Sequence, residues 1–187
     1  MHWRLIKAMI VLPGNVLVLI PAAIMWATED TQFSAHPAAA DPLFFWLAMI
    51  PGFIGFALAA WTVTIFIKFG RGTPAPWDPP EKFVVRGPYR HVRNPMIIGV
   101  LLLLLAEAMV LQSWPIFGWM IVFFAGNLIY FPLVEEKGLD KRFGQSYRLY
   151  KTHVPPWMPR LKPWKPANGA ASTGSVNGAS DDAPQDL

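Results

Sequence analysis

The stretch MIIGVLLLLLAEAMVLQSWPIFGWMIVFFAGNLIYFPLV, Met96 to Val134, carries one acid, Glu107, and no basic residue. A helix needs roughly 20 apolar residues to cross a hydrocarbon core of ~30 Å. This stretch is long enough for nearly two such helices, and Gln112-Ser113-Trp114-Pro115 is its only break. It reads as spans over about 96–111 and 114–134, joined by a tight helical hairpin.

Two further apolar runs precede it, over about 5–27 and 43–67. With 53% apolar residues in 187, more than a soluble domain of this size needs, the fold class expected is an all-α membrane protein with about four transmembrane helices. The basic residues set its orientation. Arg4 and Lys7 lie at the start of the first run, six Lys and Arg from Lys68 to Arg93 lie between the second and third, and the rest come after the fourth. The connection from Thr28 to Pro42 holds only the acids Glu29, Asp30 and Asp41. Positive charge stays inside, so both termini are expected in the cytoplasm. The first run also has features of a cleaved leader, but its length and the membrane character of the remaining chain favour a span, kinked at Pro13 and Pro21. The expected localisation is that of a multi-pass protein in a bacterial inner or plasma membrane.

Cysteine is absent, which removes disulfides and thiolate chemistry. His2, His36, His91 and His153 are too scattered for a metal site, so no metal is expected. The net charge of +4 is explained by membrane topology, and no basic stripe with interleaved aromatics points to nucleic acid. Gly70-Arg71-Gly72 lacks the strand and helix of a dinucleotide fingerprint. The loop to Asn94 contains five prolines, so it is neither a long helix nor a central strand, and Trp77, Phe83 and Tyr89 give it aromatic anchors. The chain divides into a membrane domain over 1–165 and a disordered, Ala-, Gly- and Ser-rich tail over 166–187.

Two clusters could carry chemistry. Arg86-Gly-Pro-Tyr-Arg-His-Val-Arg-Asn-Pro-Met96 sets three arginines and a histidine before the third span. These suit lipid head groups or, because arginine presents a planar fork, a carboxylate-bearing ligand. Gly99 would let a ligand or another backbone approach closely. Glu135 and Glu136 end the fourth span, and Leu139, Phe143, Tyr147 and Tyr150 continue at helical spacing. They predict one amphipathic interfacial helix over about 135–153. Glu107 is an intramembrane carboxylate, and Asn127 reads as an interhelical hydrogen-bonding residue.

Together the blocks Gly87-Pro-Tyr-Arg90, Arg93-Asn94-Pro95 with Gly99, and Glu135-Glu136, Leu139, Phe143-Gly144, Tyr147, Tyr150, Val154-Pro155, Pro159-Arg160 resemble the isoprenylcysteine carboxyl methyltransferase and phospholipid methyltransferase superfamily. The resemblance implies an S-adenosylmethionine-dependent methyltransferase whose cofactor lies at the cytoplasmic membrane surface and whose lipid or lipid-linked acceptor enters from the bilayer. It assigns cofactor contacts to Arg93, Asn94, Pro95, Gly99, Glu135 and Glu136, with Tyr89, Arg90, Tyr147, Tyr150 and Arg160 in second rank. Arg93 and Glu136 are the catalytic candidates, and a carboxylate or tyrosinate is the conceivable base for an amine acceptor. Ile97 stands where the family often has Tyr, and Asn94 where it frequently has His. The alternatives are an NADPH-dependent sterol-type reductase, which shares an Arg-His-Pro and Val-Pro pattern, and a non-catalytic membrane scaffold.

Overall fold

The computed structural model describes residues 13–35, 42–70 and 83–165. The start of the first span, the proline-rich segment 71–82 and the tail from 166 lie outside the described residues. Among the described residues every regular element is helical. A π-helical turn at Asn15–Leu19 leads into α1 (Ile20–Thr28); α2 (Pro42–Ile65) ends in a second π turn; a 3-10 turn occupies Gly87–Arg90; α3 (Pro95–Val110) and α4 (Trp114–Tyr130) come next; and a third π turn, Phe131–Glu135, leads into α5 (Glu136–His153).

Two helical stretches, Pro42–Phe69 and Trp114–His153, are long and apolar enough to cross a membrane; Asn15–Thr28 and Pro95–Val110 are apolar but shorter. The 16 residues of α3 cover about 24 Å at 1.5 Å per residue. Phe53, Phe56 and Trp61 of α2, Val122 and Ile129 of α4, and Leu133 beyond it are all exposed. A large apolar exterior of this kind is a membrane-contacting surface.

Lipid is as apolar as leucine, so helices within it associate through close backbone approach at small residues. The contact between α2 and α3 is built this way. A Cβ on Gly55 would lie 2.7 Å from the Gly99 carbonyl oxygen, one on Gly99 3.0 Å from the Gly55 oxygen, and Gly52 faces Ala106. Of the two approaches that Gly99 permits, the one seen is by another backbone.

The α3–α4 hairpin turns at Leu111–Ser113, with Gln112 at φ 47. Ser113 caps α4 by accepting the Ile116 N–H at 3.4 Å, while its own N–H donates to Ala108 O at 3.0 Å. Glu107 sits in the last turn of α3, just before this hairpin. Two π turns adjoin prolines, which cannot donate to the carbonyl four residues back. Beside Pro21 the Ile20 N–H bonds Asn15 O, and beyond Pro132 the Glu136 N–H bonds Phe131 O.

Two expectations need correction. Asn127 does not bridge helices: its Nδ2 donates to Phe123 O of its own helix at 2.8 Å. The fourth span continues through the π turn at residues 131–135 into the next helix, but 135–153 is not one straight interfacial helix. Gly144 has φ 50 and ψ −126, a conformation open essentially to glycine, and the chain doubles back there. Lys151 pairs with Glu136, and Arg148 Nε reaches Asp140 Oδ1 at 2.7 Å. In a straight helix residues 136 and 151 would stand about 22 Å apart, beyond the reach of a lysine and a glutamate.

Candidate active site

The loop before α3 is shaped by two residue types. Gly87 takes φ 54, and a Cβ there would lie 2.9 Å from Ile65 Cδ1 and 3.1 Å from Trp61 Cζ2; Pro88 is the second residue of the 3-10 turn, closed by His91 N–H to Pro88 O at 2.9 Å. The chain after α5 then crosses this loop as a strap. Arg93 N–H donates to Pro155 O at 2.9 Å, Arg160 N–H to His91 O at 3.0 Å, and Trp164 N–H to Arg90 O at 3.0 Å. The His91 ring meets Arg160 O through Nδ1 at 2.7 Å. Tyr150 Oη donates to Tyr89 O at 2.7 Å. Phe83 packs against Phe143, Tyr147 and Tyr150 at centroid separations of 5.2, 5.9 and 5.3 Å. The doubled-back arm and the loop thus share one aromatic core.

Beside this core the guanidinium of Arg93 pairs with Glu136, which also receives Lys151. The Arg93 and Glu136 side chains are 8% and 5% exposed, and Arg93 lies 5.8 Å from the centroid of the Phe131 ring. Three buried polar atoms here have no hydrogen-bond partner: Arg93 Nε, Asn94 Nδ2 and Tyr147 Oη. Tyr147 and Arg93 are neighbours, but the geometry between them does not make a hydrogen bond, so the phenol oxygen stays unpartnered. Buried polar groups are almost always satisfied, so Arg93 Nε, Asn94 Nδ2 and Tyr147 Oη are the candidate contacts for a polar ligand or for water.

A family model described as phospholipid methyltransferase matches residues 43–146, more than half of the chain. The chain belongs to the phospholipid methyltransferase family. No curated protein and no solved structure matches it. Family membership makes it a membrane methyltransferase. The matched segment holds Arg93, Asn94, Glu135 and Glu136, while Tyr147, Lys151 and the strap lie beyond it in the chain.

The residues picked out from the sequence do not all gather at one point. Arg93, Glu136 and Tyr147 do, and Asn94, next to Arg93 in the chain, is buried at the start of α3. Pro95 is buried as the first residue of α3, Gly99 packs on α2, and Arg90 directs Nε toward Val85 O at 3.5 Å. Tyr150 and Arg160 hold the strap: Arg160 Nη1 donates to His153 O at 2.6 Å. Lys151, the second cation on Glu136, falls in no motif and gives no sign of its role in the sequence. Trp157 and Trp164 also lie outside the expected site, although tryptophans among the prolines of the VPPWMPRLKPW segment signal an ordered strap; Trp157 packs on Phe124 and Phe131, Trp164 on Tyr150 and His153.

Burial, and then the Glu136 charge, pushes Tyr147 up to about 12. Burial likewise holds Tyr89 and Tyr150 well above the usual tyrosine range. Burial thus holds all three further toward the neutral phenol than a free tyrosine. Partial desolvation and then the neighbouring Glu136 charge raise Glu135 to about 7. Glu135 nonetheless keeps an exposed surface. At neutral pH Glu135 can both hold and release a proton.

Proposed function

We propose that this protein transfers the methyl group of S-adenosylmethionine to a lipid acceptor at the cytoplasmic membrane face. One observation carries the reading: the unpaired buried atoms Arg93 Nε, Asn94 Nδ2 and Tyr147 Oη beside a neutralised carboxylate. Two are donors and the third is a phenol that can donate or accept. That set fits a zwitterionic cofactor with a carboxylate and ribose hydroxyls. When bound, S-adenosylmethionine supplies a methyl group already activated on a sulfonium.

The residues of this chain then position, screen and accept protons. Glu136 serves the site by fixing Arg93 between its own carboxylate and the Phe131 ring. The strap and the Phe83–Tyr147–Tyr150 cluster limit access of water, which favours alignment of the reacting groups. Arg93 and Lys151 both serve Glu136, which leaves the exposed Glu135 as the group placed to take the proton of an amine acceptor. Four spans with both termini in the cytoplasm complete the reading, supported by the positions of Lys and Arg. A reporter fused after Leu187 should report from the cytoplasm, and a reporter on the far side of the membrane would reverse the topology.

The direct test uses the purified full chain in lipid nanodiscs. Calorimetry should show S-adenosylmethionine or its demethylated product binding without competition from NADPH, and methyl-labelled cofactor should label extracted lipid. Binding of NADPH in place of S-adenosylmethionine would sink the cofactor assignment and leave the fold intact.

A further inference from the structure

A cavity of about 410 Å³ lies between the C-terminal part of α2, the 3-10 turn, the start of α3 and the strap. Leu58, Trp61, Ile98, Pro88 and Pro163 give it apolar walls, and among the described residues Arg90 is the one lining residue of fixed charge. No described aspartate or glutamate lines it, and it shares no lining residue with Arg93, Asn94, Glu136 or Tyr147. Trp61 belongs also to the exposed apolar exterior, so the cavity meets the lipid-facing surface there. Arg90 forms no ion pair with any described residue, and its hydrogen bond to Val85 O, at 3.5 Å, is at the limit of range.

Such a volume is ordinary for a small-molecule site. An arginine among the lining residues of an apolar cavity, with no described acid beside it, is matched by a phosphate attached to a hydrocarbon chain. A zwitterionic head group would bring an ammonium for which the cavity has no partner. We propose that this cavity holds one anionic phospholipid, its phosphate on Arg90 and part of one acyl chain against Leu58 and Trp61. The site is separate from the methyl-transfer cluster and does not depend on that reading.

Native mass spectrometry of the full chain, delipidated and then offered phosphatidylglycerol or phosphatidylcholine, tests this. The wild-type protein should retain a single phosphatidylglycerol in preference to phosphatidylcholine by about fivefold, the share expected of one cation at a lipid surface. Arg90→Ala should abolish the preference and Arg90→Lys should keep part of it. Leu58→Trp, which fills the cavity, should reduce retention of both lipids. Arg86→Ala removes an exposed arginine whose guanidinium lies 4.1 Å from the centroid of the Phe69 ring, and should leave the preference unchanged. Equal retention of the two lipids by the wild type, or loss of the preference in Arg86→Ala as fully as in Arg90→Ala, would overturn the proposal: the first leaves the cavity without a lipid preference and the second reduces it to general surface attraction. Should Arg90→Ala fail to fold, Arg90→Lys and Leu58→Trp decide the matter by the same measurement.

Discussion

Arg93→Ala is expected to lower the unfolding free energy in detergent by about 3–5 kcal/mol and to abolish cofactor binding. The magnitude comes from burial. Both side chains of the Arg93–Glu136 pair are less than a tenth exposed, so removing the arginine leaves a buried carboxylate with only Lys151, whose own side chain is 49% exposed. Were the pair at the surface, the loss would be ~0–1 kcal/mol. Lys141→Ala on the exposed side of α5 is the matched control and should stay within about 0.5 kcal/mol of wild type. Glu136→Gln separates stability from binding, because it keeps the shape while removing the charge that fixes Arg93. If Arg93→Ala unfolds and binds S-adenosylmethionine like wild type, the cluster is neither a stabilising pair nor the cofactor site.

Gly144→Ala should cost about 1–3 kcal/mol and separate Lys151 from Glu136. No heavy atom would lie within 4 Å of the added methyl, so the cost comes from backbone strain at φ 50 and ψ −126 alone. Gly138→Ala in the same helix also meets no atom but has ordinary helical geometry. It should be neutral or stabilising by up to ~1 kcal/mol, since alanine is the better helix former. Thermal unfolding of the two variants side by side gives the comparison. Equal stability of Gly144→Ala and Gly138→Ala would mean that the arm is not folded back through Gly144.

Much of this architecture is legible in the sequence because it rests on local chemistry. The hairpin can be read from Gln112-Ser113-Trp114-Pro115, since a serine cap and a proline near a helix start act within a few residues. The Arg-Asn-Pro block and the paired acids are legible as motifs, and the structure brings Arg93 to Glu136. The doubling back at Gly144 is not legible, because Leu139, Phe143, Tyr147 and Tyr150 keep a helical period straight through it. Its trace is the glycine itself, whose left-handed backbone conformation leaves no periodic signal. Gly99 is ambiguous for a different reason: whether a glycine faces a ligand or another helix depends on its partner, and Gly55 lies 44 positions earlier. The strap has no period at all, its order coming from backbone bonds to a distant loop.

That strap also sets the timing of maturation. The bonds from Arg93 to Pro155 and from Trp164 to Arg90 join segments that a ribosome makes more than sixty residues apart, at roughly 5–20 residues per second. A nascent chain could already have inserted its apolar helices while Arg90, His91 and Arg93 still lacked the backbone partners that close their loop. Insertion and assembly of the candidate pocket are therefore separate events, and the second waits for residues near 164 to leave the exit tunnel.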